Sequence, residues 1–265
     1  MGASEALVLE RLLAERGFVP KPAGLALLSG PGAKLSVASA LPRRETRAAP
    51  FPTGLAPIDA LLAGGFARGR LTELVGRRSS GRFSVVLSAL ASATSCGEAA
   101  ALVDRGSHFD PQAARDAGVH LERLLWARPR RVKEALAAAE MLLSAGFPVV
   151  AVELGMPPLT GGAPEAAWVR LARAAEVERA VLVLSTPYRL SGFAAGAVVK
   201  MAEPRFAWKG EGRSPTLLVG SSSRLYLERD VGGTARAGAT LSLRVYPVCS
   251  SLREESGPSS MRALA

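Results

Sequence analysis

From Thr53 onward the chain alternates short apolar runs with stretches of helical period, and this alternation constrains the fold more than any other feature. Four runs read as strands: "RLTELVG" (70–76), "AALVDRG" (100–106), "FPVVAVEL" (147–154) and "AVLVLST" (180–186). "LERLLWARP" (121–129) reads as a short strand entered by a turn. Between them lie helical segments: "FSVVLSALASATS" (83–95), "DPQAARDAG" (110–118), "VKEALAAAEMLLSAG" (132–146) and "PEAAWVRLARAAEVER" (164–179). A nearly unbroken apolar run such as "FPVVAVEL" marks a strand buried on both faces. Parallel strands need long crossovers, which helices supply. The pattern therefore predicts an α/β fold, a mostly parallel sheet flanked by helices on both faces.

After Tyr188 the helical period stops. "AVVKMAEPRFAWKG" (197–210), "PTLLVGSSSRLYLERD" (215–230) and "ATLSLRVYPV" (239–248) read as strands joined by Gly/Ser turns. They predict an antiparallel extension at the C-terminal side of the same sheet.

Three divisions follow from composition: an N-terminal region 1–50, a core 51–248 and a flexible tail 249–265. In the first, Leu9, Leu12, Leu13 and Arg16 recur at helical spacing, which predicts a short amphipathic helix over residues 5–17. A Pro-, Gly- and Ser-rich linker follows, and inside it Leu35 and Val37 lie in "KLSVASAL", an isolated strand candidate. A lone strand needs a sheet to join, in its own domain or in a neighbour. The tail, "CSSLREESGPSSMRALA", has too little apolar content to fold alone. Its sizeable apolar anchors are Leu252, Met261 and Leu264. With the N-terminal leucines, Leu35 and Val37, these are the candidate partner-binding residues.

The 265 residues carry no apolar run near the ~20 needed to cross a bilayer, and no secretory signal, so the expected compartment is the cytoplasm. Cys96 and Cys249 are too few for a disulfide framework, and His108 and His120 have no Cys close enough to share a metal. The formal charge is +10, with 28 Arg among the 33 basic residues. Two readings fit that bias: a GC-rich genome, or a basic surface for nucleic acid or an acidic partner. Trp126, Trp168 and Trp208 are widely spaced and read as core or interface aromatics.

The stretch between the first strand and its helix, "GRRSSGRFS", nearly spells the phosphate-loop pattern G-x-x-x-x-G-K-[ST]. Gly76, Arg77, Arg78, Ser79, Ser80 and Gly81 keep its spacing. Arg82 stands where the pattern has Lys, and Phe83 where it has the magnesium-binding hydroxyl. Arg82 keeps a positive charge, but a planar guanidinium is a poor replacement for an ammonium tucked under the loop. Arg77 and Arg78 could attract an anion. Ser79 and Ser80 read as turn residues that cap the following helix.

These residues carry a resemblance. "FPTGLAPIDALLAGGFARGRLTELVGRRSSGRFS" resembles the start of the RecA recombinase core, where a P-T-G…D…GG…G-R stretch leads into the phosphate loop. "LVDRGSHFDPQAARDAGVHLERLLWARP", "FPVVAVELG" and "VLVLSTPYR" continue the likeness in order, over roughly residues 51–245. The resemblance implies a RecA-like core. It places the water-activating Glu of that family on Gly106 and the adenine-stacking Tyr on Ala113. It keeps two acidic positions: Asp110, at the base-contacting Asp, and Glu153, at the acidic end of the second nucleotide-binding strand. The two DNA loops of RecA would follow Thr160 and Tyr188, the second being the short "RLSGFAAGAVVK", poor in basic and amide side chains. The tail stands where RecA has a separate domain.

A RecA-like core stripped of its ATPase residues is similar to the ImuA family, accessory factors of damage-induced mutagenesis that are sometimes labelled SulA-like. The resemblance implies no catalytic residue, no cofactor and no metal. It implies as partners RecA and ImuB, an inactive relative of Y-family polymerases, and through ImuB an error-prone C-family polymerase. Weak DNA contact through the basic surface goes with it. Two other readings are a nucleotide-dependent recombination ATPase with an unusual loop, and a SulA-type division inhibitor.

Overall fold

The structure, a computed structural model, describes residues 49–156, 163–210, 217–232 and 237–245. Leu9, Leu12, Leu13, Leu35, Val37, Leu252, Met261 and Leu264, and the position after Thr160, lie outside the described residues. Within them the chain runs α1 (Ala56–Leu61), β1 (Arg70–Gly76), α2 (Arg82–Ser95), β2 (Ala100–Asp104) and α3 (Pro111–Asp116). It continues through β3 (Leu124–Ala127), α4 (Val132–Ser144), β4 (Val149–Glu153), α5 (Glu165–Glu178) and β5 (Val181–Thr186). It ends with β6 (Ala197–Lys209), β7 (Leu217–Asp230) and β8 (Thr240–Val245).

The strands form one sheet in the order β3-β2-β4-β5-β1-β6-β7-β8. The first six in that order are parallel, and β7 and β8 add antiparallel. This is the mostly parallel sheet with an antiparallel C-terminal extension that the sequence pattern predicts. Every residue of β2, β4 and β5 is buried, which explains why these strands read as apolar runs without alternation.

Period-two geometry splits the buried residues between two cores. Leu74, Leu102, Ala151, Val183, Val199 and Leu225 join Val85, Val86, Ala89 and Leu90 of α2 and Ile58 of α1 in one apolar cluster. Their strand neighbours Val103, Val150, Leu182 and Leu184 are equally buried on the opposite face. There α4 packs on β2 and β4, α5 on β1 and β5, and the two helices on each other. Trp168 is buried within α5, Trp126 is half-buried against Phe109, and Trp208 is exposed on β6.

The stretch before β1 explains its own residues. Phe51 and Phe66 exchange backbone hydrogen bonds of 2.7 and 2.8 Å, which closes a loop around the six-residue α1. Within it Asp59 Oδ1 accepts from both N and Oγ1 of Thr53, each at 2.8 Å. The Thr and Asp of the quoted stretch thus hold a turn ahead of the phosphate-loop strand.

Candidate functional site

Ligand sites in parallel sheets form beyond the carboxyl ends of the strands, and four such ends meet here. Asp104 of β2 pairs in register with Glu153 of β4, Glu153 with Ser185 of β5, and Ser185 with Leu74 of β1. Residues in one register row share a face, so Asp104, Glu153 and Ser185 all point toward the face covered by α2. All three are buried. The loop 76–81 arches over them and delivers the first residue of α2, Arg82, into the same space.

Gly81 makes that delivery possible. It occupies the left-handed region at φ 87°, where a side chain is disfavoured, and is the residue before the helix. No side chain caps α2, which corrects the expectation for Ser79 and Ser80. Ser79 is exposed at φ 59°, and the Ser80 hydroxyl is buried under the loop with no hydrogen-bond partner among the described residues. The physical reason is direction. The turn at Gly81 sends the chain into the helix past Ser80, whose hydroxyl faces back toward Gly76.

Arg82 is 6% exposed, and its guanidinium points into the protein. One nitrogen donates to Ser185 Oγ at 2.8 Å and lies 3.5 Å from Glu153 Oε1, and the other reaches Met156 Sδ at 3.9 Å. The guanidinium lies under the loop because its fork extends to an acid on β4. Burial pushes its pKa down and Glu153 pushes it back up.

Glu153 Oε1 also accepts from Gly155 N at 2.9 Å and faces His108 Nδ1 at 3.7 Å, while its Oε2 is buried without a partner among the described residues. Glu153, as acceptor and as charge, raises the His108 pKa above its ordinary value against partial burial. Asp104 shapes the turn that presents His108, accepting from His108 N at 3.2 Å and Phe109 N at 3.0 Å. Phe83 packs on the core cluster and meets the His108 ring edge-on at 6.1 Å.

A cavity of about 230 Å³ remains, lined by Arg77 through Ser84 with His108, Glu153 and Met156. Arg77 and Arg78 are exposed at its rim. The other sequence-derived positions take no part in lining it. Asp110 caps α3, accepting from Gln112 N at 2.9 Å, and Ala113 is exposed on that helix. Gly106 sits where the chain leaves β2, against Gly155: a Cβ on Gly106 would lie 2.7 Å from Gly155 Cα and 2.8 Å from the His108 ring. Sequence reasoning missed His108, Ser185 and Met156. Their one available signal was position, each following or ending a strand in the row that faces the loop.

The segment after β5 is fixed from the opposite face. Glu73 of β1 is fully buried, and its carboxylate accepts from Thr186 Oγ1 at 3.1 Å, from Leu190 N at 2.7 Å and from the Ser191 hydroxyl. This anchors a turn that exposes Tyr188 (44%) and Phe193 (81%). Among the described residues no three or more His, Cys, Asp or Glu are grouped to hold a metal ion, and no helix is long and apolar enough to cross a membrane.

Residues 33–154 match the RecA N-terminal domain. Over this stretch the chain is RecA-like. Protein RecA of Chlorobaculum parvum is 44% identical over 95 residues, which is 36% of this chain and 27% of that protein. Protein RecA of Saccharopolyspora erythraea is 41% identical over 105 residues, 38% of this chain and 30% of that protein. The chain thus spans less than a third of the length of these relatives. The crystal structure of the RadB recombinase superposes with a TM-score of 0.56 at 18% identity, covering 75% of this chain and 97% of that one. The fold is RecA/RadB-like.

Proposed function

We propose that this chain is a non-enzymatic RecA-like adaptor of the bacterial DNA-damage response. It supports error-prone translesion synthesis by binding RecA, ImuB or both. The observation that carries the first half is the buried Arg82–Glu153 pair. Phosphoryl transfer depends on free cationic groups and a metal positioned around the phosphates. Here the Arg82 cation beneath the loop is held by Glu153 and Ser185. Phe83 offers no oxygen to a magnesium ion. Gly106 stands where the family resemblance puts the water-activating carboxylate, and its contact with Gly155 leaves no room for a side chain. The residues present do not fit a magnesium nucleotide, so the loop serves as a structural turn between β1 and α2.

The second half, the partners, rests on the resemblance to the ImuA family together with a surface suited to contacts: exposed Tyr188, Phe193 and Trp208 on a basic protein. The test is a pull-down of the full chain with purified RecA and ImuB, with and without single-stranded DNA. Retention of either protein without added nucleotide is the expected result. Retention of neither, or retention only with ATP and magnesium, contradicts the adaptor reading.

A further inference from the structure

β6 outruns the strand beside it. β1 stops at Gly76, which pairs with Met201, whereas β6 continues to Lys209 with β7 on its other side. Among the described residues no strand pairs with the outer edge of β6 beyond Met201. A bulge between Ala202 and Arg205, containing Pro204 with no N–H to offer, confines the open edge to Arg205–Lys209.

The two faces of that edge differ. Arg205, Ala207 and Lys209 share one face by the period of the strand, and Phe206 and Trp208 share the other. Arg205 pairs with Ser222, which pairs with Arg244, so a second arginine joins the basic face. Phe206 pairs with Ser221, on the face that carries Leu225 and Leu243 into the core, and Trp208 pairs with Leu218 across a second register shift, between Ala207 and Trp208. Phe206 is 45% and Trp208 58% exposed, and Arg205, Lys209 and Arg244 are exposed as well. The described carboxylates nearby are already paired, Glu203 with Arg224 and Glu228 with Lys200. Arg77 and Arg78 flank the start of the edge, since they follow Gly76.

An open strand edge beside exposed aromatics is a site of association. An added strand would pair the free backbone groups and present its side chains alternately to the apolar and the basic face. Opposite charges directly across a strand pair are favourable and like charges unfavourable. We propose that the β6 edge, Arg205–Lys209, binds an extended protein segment in which acidic and apolar residues alternate. A nucleic acid would satisfy the basic face but leave the backbone edge and Leu218 without partners. The inference rests on this ribbon alone and goes beyond the adaptor reading, which does not say what chemistry a partner presents.

The test titrates the full chain into fluorescein-labelled decapeptides and reads anisotropy. The probes are alternating Glu–Val, alternating Lys–Val, a block peptide of five Glu followed by five Val, and a twenty-base oligothymidylate. The alternating Glu–Val peptide should bind about tenfold more tightly than the block or Lys–Val peptides. Arg205→Glu with Lys209→Glu should reverse the preference toward Lys–Val, a gain of binding that misfolding cannot mimic. Phe206→Ser with Trp208→Ser should weaken the Glu–Val peptide by a similar factor. Equal binding of alternating and block peptides overturns the proposal. So does oligothymidylate binding lost in the charge-reversed variant without any binding of Glu–Val, which would assign the ribbon to nucleic acid. Since neither RecA nor ImuB is present, failure here leaves the adaptor reading standing, and a failed pull-down leaves this proposal standing.

Discussion

Replacing Arg82 by Met removes the guanidinium that faces Glu153 at 3.5 Å while keeping a side chain of comparable length in the core. Glu153 is 1% exposed, and after the change it retains the Gly155 N–H at 2.9 Å and His108 at 3.7 Å. Breaking a buried ion pair by removing one partner costs about 3–5 kcal/mol, because the other charge stays buried without compensation. His108 supplies part of the compensation, so the loss belongs at the lower end, about 3 kcal/mol. For a chain of this size that is a fall of roughly 6–12 °C in Tm. Glu153→Gln in the same background removes the stranded charge and should recover part of the loss. Urea titrations of the wild type, both single variants and the double variant give a coupling energy, expected at about 1–3 kcal/mol. Additivity within about 0.5 kcal/mol would show that the two side chains do not act as a pair, and would refute the account of why Arg82 stands in this loop.

Three further outcomes follow from the same geometry. Gly106→Ala should lower stability by about 1–3 kcal/mol in urea denaturation, because its Cβ meets the Gly155 backbone at 2.7 Å; Gly106→Glu should be no milder and should confer no ATP turnover. His108 has its pKa raised by Glu153, so the stability it contributes is full below its unfolded pKa of about 6.5 and fades as pH rises through the higher folded value. The Tm difference between wild type and His108→Gln should therefore shrink from pH 6 toward pH 9, roughly the window above that unfolded value. Ser191→Ala removes a hydroxyl that donates to the buried Glu73 carboxylate and should cost about 1–3 kcal/mol, with faster proteolytic cleavage in the turn between Thr186 and Ala197 as the local readout.

Much of the fold was legible from particular residues. The run "FPVVAVEL" reads as a buried strand because β4 lies between β2 and β5 with helices on both faces, so no position needs to be polar. The helix α4 reads clearly because Val132, Leu136, Ala139 and Leu143 keep one face toward the sheet. The six-residue α1 escaped notice because it is shorter than two turns, too short for its buried pair Ile58 and Leu61 to show a period. The bulge at Glu203–Pro204, which sets where the β6 edge opens, is marked in the sequence by Pro204 alone, and its position depends on pairing with β7.

The candidate site was legible as a loop with altered letters and, through the resemblance, as Glu153 at the end of β4. Its interactions join residues far apart: Arg82 meets Ser185 across 103 positions, and Glu73 meets Ser191 across 118. No local period encodes such partners. Substitution of the pattern's Lys by Arg82 reads as a loss from the letters alone. The structure shows a gained ion pair, and with it a reason for Arg rather than any apolar residue at that position.

The proposal that no magnesium nucleotide binds beneath the loop rests on the Arg82–Glu153 pair and on Phe83. It is tested most directly by isothermal titration of the full-length protein with ATP in the presence and absence of magnesium. No magnesium-dependent heat of binding is expected, for the wild type and equally for Arg82→Lys with Phe83→Thr. Micromolar, magnesium-dependent binding by the wild type, lost when Gly81 is replaced, would contradict it and return the loop to the nucleotide-dependent ATPases.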